Sequence, residues 1–345
     1  MIFTSDNAFG VAPEILEAIA KANGGAVSSY GGDEITSRLQ KRFADVFERE
    51  VAVFPVATGT AANALSLATL TPPYGAIFCH EDAHVNVDEC GAPEMFSGGA
   101  KLVGLGGENG KIDAGGFAAA LKGYRKDDVH QVQPACLTLT QSTEAGTVYT
   151  LAEITGLAAL AHGRGLAVHM DGSRFANALV SVGSTPAEMT WKAGVDVLSF
   201  GATKNGALAA EAVVFFDPAR AADFAFRRKR AGHLFSKMRF LSVQLDAYLD
   251  GDLWLRLARH ANDMAAHLAS GLQALDGAVL ASPVEANEIF VRLPAATTSR
   301  LRKAGAAFHP WPKRGDGEGH GTVRLVTSFA TRLSEVEAFL KAARG

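Results

Sequence analysis

Cysteine is scarce in this chain: three residues in 345, at positions 79, 90 and 136, with no C-x-x-C pair among them. That excludes a disulfide framework and points to a reducing, cytoplasmic home. Long apolar runs are missing too, since none reaches the length of a membrane span. The opening "MIFTSDNAFGVAPEILEAIA" has neither a basic n-region nor an apolar h-region, so no secretory signal is expected. Charge of one sign is also lacking: 33 Lys and Arg stand against 36 Asp and Glu, a formal net charge of −3. Nothing global therefore favours nucleic acid or an anionic membrane as a partner. Internal repeats and low-complexity segments are absent as well.

What is present is an ordinary globular balance, with 48% hydrophobic and 20% charged residues. Short apolar runs punctuate the chain: "VAVFPVA" (51–57), "GAIFC" (75–79), "KLVGL" (101–105), "ACLTLTQ" (135–141), "LAVHMDG" (166–172), "VDVLSFG" (195–201) and "AVVFFD" (212–217). They do not alternate with polar residues, as expected of strands buried on both faces of a parallel sheet. Helical patterns separate most of them, namely "TAANALSLATL", "LAEITGLAALAHGRG" and "STPAEMTWKAG". This alternation predicts an open α/β sheet. Beyond about residue 240 the pattern changes to a long helix, "NEIFVRL", "TVRLVTSF" and a final helix, suggesting a smaller α+β domain. The expected division is residues 1–240 and 241–345, the N-terminal segment being able to pack with the small domain. "KRGDGEGHG" (313–321) reads as an exposed loop.

In open α/β sheets ligands bind beyond the carboxyl ends of the strands. After the first run come Thr58, Gly59 and Thr60, opening a helix whose N–H groups can hold a phosphate. After "LAVHM" comes Asp171, with Arg174 three residues on. After "VDVLSF" comes "GATK", ending in Lys204. Each has a plainer reading as a helix cap, a surface ion pair or a solvated lysine. Together, an anion cradle, a strand-end carboxylate and a lysine one βα unit later suit pyridoxal 5'-phosphate. The lysine would form a Schiff base with its aldehyde, and the carboxylate would keep its pyridine nitrogen protonated.

The segments "FTSDN", "SSYGGDEITSRLQKRFADVFEREVAVFPVATGTAAN", "MDGSRFANA", "SFGATKNG" and "TVRLVTSF" resemble, in order, those of the low-specificity L-threonine and phenylserine aldolases. The resemblance covers essentially the whole chain. It implies the fold type I architecture of pyridoxal-phosphate enzymes: a mostly parallel seven-stranded sheet with helices on both faces, plus a small C-terminal α+β domain. It makes Lys204 the cofactor's attachment point and Asp171 the partner of the ring nitrogen. Thr58, Gly59, Thr60 and Thr203 would hold the phosphate. Ser5, Arg174 and Arg324 would hold the substrate carboxylate, a task suited to planar guanidinium forks. Tyr30 would reach a neighbouring subunit's site, and Arg230 could face a partner's cofactor phosphate, so a homodimer or homotetramer is implied. The reaction implied is cleavage of an L-β-hydroxy-α-amino acid (L-threonine, L-allo-threonine or L-phenylserine) to glycine and an aldehyde. From the residues alone, an aminotransferase or a β-eliminating lyase would use the same lysine, aspartate and cradle.

One motif points elsewhere. Residues 80–84, "HEDAH", match the H-E-x-x-H of zinc hydrolases. That motif needs a helix, whereas His80 follows directly on a strand-like run; Val87 and Cys90 stand where the longer signature requires Gly and His. No metal is expected. Within the resemblance His84 stacks on the cofactor ring and can take a proton from the β-hydroxyl, with Glu89 orienting it. "GLGGENG" (104–110) lacks the third glycine of a dinucleotide loop, and the basic run 227–239 reads as a solvated helix. The sequence also departs from the family at two places. Glu144 stands where many members place a His, and "TKNG" replaces the usual S-K-G-L. If burial raised its pKa, Glu144 could relay the same proton.

Overall fold

The computed structural model describes residues 1–311 and 320–345. Most of the run 313–321 thus lies outside the described residues. All seven apolar runs are strands of one sheet: β1 (Ala52–Val56), β2 (Gly75–His80), β3 (Lys101–Leu105), β4 (Gln133–Thr140), β5 (Ala167–Gly172), β6 (Val197–Gly201) and β7 (Glu211–Phe215). Their spatial order is β1-β7-β6-β5-β4-β2-β3. Strands β2 to β6 pair in parallel, but β7 runs antiparallel to both β1 and β6. The sheet is thus mostly parallel, as expected, with one strand reversed. The stretch joining β6 to β7, residues 202–210, is too short for the helical crossover that a parallel neighbour needs. The carboxyl ends of β1 to β6 and the start of β7 consequently share one edge.

Covered faces explain the apolar runs: every residue of β2, β5, β6 and β7 is buried. The helix Gly59–Leu70 is itself buried nearly all round, from Ala61 to Ala68, which is why its sequence shows no polar face. Thr58 caps it, its Oγ1 accepting from Ala61 N–H at 3.2 Å. The helix Leu151–His162 begins with a Thr150/Glu153 capping box. "STPAEMTWKAG" carries the same start signal at Thr185 and Glu188, yet its helix lasts only Pro186–Met189 before a 3-10 turn. The basic run 227–239 is likewise not one helix: Phe224–Arg230 ends inside it and Arg239–Tyr248 begins at its last residue.

A second sheet, antiparallel, has the order β10-β11-β9-β8: β8 (Val279–Leu280), β9 (Glu288–Pro294), β10 (His309–Pro310) and β11 (His320–Val326). It packs with the helices Ala295–Lys303 and Leu333–Arg344 and with the latter part of Leu253–Gln273 around its own core. The earlier part of that long helix, including Trp254 and Ala258, belongs to the main core. The chain's first residues join the second core. Phe3 is fully buried there; its N–H donates to Ala307 O and its carbonyl accepts from Val326 N–H. That docking carries Ser5 and Asp6 to the sheet edge described above. Among the described residues no helix is long and apolar enough to cross a membrane.

An aromatic cluster fastens one face of the large sheet. Phe47, fully buried, lies 5.2 Å from Phe216, 6.2 Å from Phe43 and Phe175, and 6.4 Å from Phe200, ring centre to ring centre. Phe47→Ala should cost about 3–5 kcal/mol through lost burial and an unfilled cavity. Chemical denaturation would show this as a lower midpoint, and a midpoint within about 1 kcal/mol of wild type would mean that the cluster is not tightly packed.

Candidate active site

At the shared sheet edge, β5 ends in Asp171 and β6 runs into Lys204, which lies in the 3-10 turn Thr203–Asn205. The two ends approach closely because both carry glycine. A Cβ on Gly201 would stand 2.4 Å from Ser173 O, and one on Gly172 2.7 Å from Ser199 O. Two cavities open here. The inner one, about 430 Å³, is lined by Thr58, Gly59, Thr60, Asn63, His84, Glu89, Asp171, Thr203, Lys204 and Glu211, among others. The outer one, about 1020 Å³, is lined by Ser5, Glu144, Arg174, Trp311 and Arg324. Asn7, His84 and Lys204 line both, so the two form one continuous cleft.

The inner wall is built from buried polar contacts. Asp171 Oδ1 accepts from Ser173 N–H at 3.0 Å and from its hydroxyl at 2.9 Å; Oδ2 accepts from Asn63 Nδ2 at 2.8 Å. Burial opposes ionisation of Asp171, but Lys204 and the Ser173 N–H outweigh it and hold the carboxyl below the usual range. Two residues back on β5, His169 is buried between Thr138 Oγ1 (2.8 Å) and Ser199 Oγ (2.9 Å), and burial pushes its imidazole down to about 4. His84 opens a short helix, and its Nδ1 lies 2.9 Å from Glu89 Oε1, which raises the imidazole's pKa. At the mouth of the helix Gly59–Leu70, Thr58 occupies the N–H groups of Ala61 and Ala62. Those of Gly59 and Thr60 are left as the open donors of the first turn, and a Cβ on Gly59 would meet nothing within 4 Å. Thr203 Oγ1 is engaged with Ala210, accepting from its N–H at 3.1 Å.

On the outer side Arg174 is buried among acids. Its Nε and Nη2 reach Asp6 at 2.8 and 3.1 Å, and Nη1 lies 3.0 Å from Glu288. Burial opposes its charge, yet those carboxylates keep it firmly protonated. Arg174 is thus part of a buried ion cluster and not a surface partner of Asp171. Ser5 Oγ caps the turn Asp6–Ala8 by accepting from Asn7 N–H. Arg324, on β11, donates to Thr4 O at 3.3 Å and stacks over Trp311, 4.8 Å from the ring centre. Burial, with Glu288 nearby, pushes Glu144 up to about 7.

Tyr30 and Arg230 line neither cavity. Both are exposed, Tyr30 lying beneath Lys229 Nζ at 4.8 Å. His80 ends β2, with Nδ1 accepting from Asp82 N–H and Nε2 3.3 Å from Gly107 O. The two histidines of "HEDAH" thus lie on a strand and a helix, not on one helical face. Among the described residues no group of three or more His, Cys, Asp or Glu is placed to hold a metal.

Comparison with known proteins settles the kinship. A family model described as beta-eliminating lyase matches residues 3–296. The chain belongs to the beta-eliminating lyase family. Within that family it is 43% identical over 344 residues to a low specificity L-threonine aldolase of Pseudomonas sp. (strain NCIMB 10558), covering 99% of this chain and 97% of the relative. It is 44% identical to the low specificity L-threonine aldolase of Pseudomonas aeruginosa, with 97% and 94% covered. A solved Leishmania major threonine aldolase superposes with a TM-score of 0.93 at 28% identity, over 99% of this chain and 98% of that one. The fold is the fold type I arrangement of pyridoxal-phosphate enzymes, and the chain is a carbon–carbon lyase of the threonine aldolase kind.

Sequence reasoning missed Asn63, Asp6, Glu288 and Glu211. Asn63 was the one amide in an otherwise small and apolar helix, and Glu211 an acid heading a buried strand. A buried polar residue among apolar ones calls for partners, and that was the available signal. Glu211 accepts from Ala202 N–H at 2.8 Å, and burial pushes its carboxyl up from 4.5 to about 7. Between those values the folded protein holds a proton that the unfolded chain releases, so Glu211's contribution to stability is lost as pH rises from 4.5 to 7. Glu211→Gln keeps the acceptor and removes the titration. In cofactor-free protein its Tm relative to wild type should therefore be higher at pH 8 than at pH 5. The same difference at both values would mean that Glu211 ionises normally.

Proposed function

We propose that this cleft binds pyridoxal phosphate on Lys204 and cleaves L-β-hydroxy-α-amino acids, among them L-threonine, L-allo-threonine and L-phenylserine, to glycine and an aldehyde. The observation that carries the reading is the two-part cleft: a cradle and carboxylate on one side, cationic forks on the other, with Lys204 and His84 common to both. The aldolase relatives support the choice of reaction.

The residues present fit the cofactor. The open N–H groups of Gly59 and Thr60, with Thr58 and Thr203, would take its phosphate, and Asp171 Oδ2 would hold a proton on its ring nitrogen. Glu211 lines the same cavity, and burial, by raising its carboxyl to about 7, reduces the charge it sets against the phosphate near neutrality. When bound, the group supplies an electron sink for the pair left on Cα after bond cleavage. Arg324, Ser5 and the N–H groups of Arg174 not used by Asp6 and Glu288 would hold the substrate carboxylate. With Nδ1 turned to Glu89, His84 would take the β-hydroxyl proton at Nε2, and Glu144, which lines the same outer cavity, would relay it.

The proposal includes a second copy of the chain, whose Tyr30 and Arg230 would complete the cleft from outside. Their exposure away from it in a single chain supports that reading. A cytoplasmic setting is supported by three free cysteines, of which Cys90 is exposed.

The test is a pair of variants. Lys204→Ala should abolish borohydride fixation of the cofactor to the chain, whereas His84→Ala should keep fixation and lose roughly 10²-fold or more in turnover. Fixation surviving in Lys204→Ala would refute the attachment point. Unchanged turnover in His84→Ala would move the base to Glu144.

A further inference from the structure

Asn63 lies one helical turn beyond Gly59, on the same helix that opens toward the phosphate cradle. It is 2% exposed, and its single amide nitrogen donates to two carboxylates: Glu89 Oε1 at 2.8 Å and Asp171 Oδ2 at 2.8 Å. Glu89 Oε1 also stands 2.9 Å from His84 Nδ1. The Glu89 side chain is fully buried, and neither its Oε2 nor Asn63 Oδ1 has a partner among the described residues. All the bonding of this acid therefore runs through one oxygen, shared by the imidazole and the amide.

We propose that Asn63 is a positioning residue that ties the His84–Glu89 pair to Asp171, so that the proton acceptor for the β-hydroxyl and the carboxylate serving the ring nitrogen form one hydrogen-bonded unit. The inference rests on the functional reading given above. Its orientation is fixed by charge: turning the amide over would set a carbonyl oxygen against two carboxylates. A neutral donor is what the place requires. It offsets the repulsion between Glu89 and Asp171 while leaving Asp171 its full charge, which a lysine or arginine there would cancel. Because Glu89 then presents an ionised oxygen to Nδ1, that nitrogen carries hydrogen and Nε2 is the basic atom.

The charged groups facing the unit come from several elements. His84 is faced by Glu89, Asp171 and Glu144, with Asp88 Oδ2 3.7 Å from Nε2. Glu89 is faced by His84 and Asp171, and Asp171 by Lys204, His84 and His169. Without the amide, Glu89 loses a donor and faces Asp171 unrelieved, so it takes up a proton more readily. The charge on Glu89 Oε1 is then left to His84 alone, so the proton on the imidazole is held more tightly and the base is free only at higher pH.

The experiment uses pyridoxal-phosphate-loaded wild type, Asn63→Ala, Glu89→Gln and the double variant, assayed for glycine release from L-threonine across pH. In parallel, NMR follows exchange of the glycine α-proton in D₂O. Asn63→Ala should shift the acid limb of kcat/KM up by about one pH unit, the worth of a hydrogen bond to a charged group. Glycine exchange, which depends on Asp171 and needs no β-hydroxyl base, should fall by about tenfold. In the Glu89→Gln background most of the limb shift should vanish, because Asn63 acts on His84 chiefly through Glu89, the acid bonded to its ring. A limb that does not move, or a shift that persists at full size in the double variant, overturns the proposal. Asn63→Thr serves in place of the alanine variant should that one not accumulate as folded protein. Wild type that releases no glycine from L-threonine would instead overturn the functional reading.

Discussion

Asp171 sits at the carboxyl end of β5, near the middle of a seven-stranded sheet, and only 2% of its surface is exposed. Burial there disfavours a charge, and the local structure is arranged to keep one. The turn after β5 aims the Ser173 N–H and hydroxyl at one oxygen, the helix Gly59–Leu70 aims Asn63 at the other, and the positive charge of Lys204 favours the ionised form. Each of these groups reaches Asp171 because six strand ends and the start of β7 share an edge, and because glycines at 172 and 201 let β5 and β6 close together. In the proposed reading that charge is what Asp171 contributes: a neutral carboxyl could not hold a proton on a cofactor's ring nitrogen.

The outer half of the cleft solves a related problem with opposite sign. Arg174 is buried, and an unpaired guanidinium there would be costly. Asp6 and Glu288 offset that cost, and they come from opposite ends of the chain: Asp6 from the N-terminal segment docked on the second core, Glu288 from the first residue of β9. The ion cluster thus joins the large sheet to the small one at the place where a substrate carboxylate would bind. Asn287 reinforces it, donating to Asp6 at 3.1 Å and to Thr327 O at 2.7 Å. Packing between the two cores and the geometry of the cationic fork are therefore linked through the same few side chains.

Much of this was legible in the sequence, for physical reasons. A strand covered on both faces must be apolar throughout, so all seven runs stood out, and the strand-end rule then selected Thr58, Asp171 and Lys204. Strand direction was less visible, because an apolar run reads the same either way; the brevity of residues 202–210 was the one clue that β7 is reversed. The cap signals at Thr185 were genuine but do not encode length, so a single turn passed for a full helix. Arg174 was seen as a fork, whereas its partners Asp6 and Glu288 were not, since residues so far apart in sequence meet only in the folded chain. Asn63 escaped for a similar reason: its role lies in two carboxylates contributed by other elements.

The most direct test of the central claim is glycine release from L-threonine, L-allo-threonine and L-phenylserine by protein that is loaded with pyridoxal phosphate, stripped of it, or treated with a metal chelator. Glycine that requires the cofactor and is indifferent to the chelator is the expected result, with the three rates ranking the β-substituents. No glycine from any of the three while the cofactor remains bound would contradict aldol cleavage, and would leave this cleft to a transaminase or an eliminating lyase.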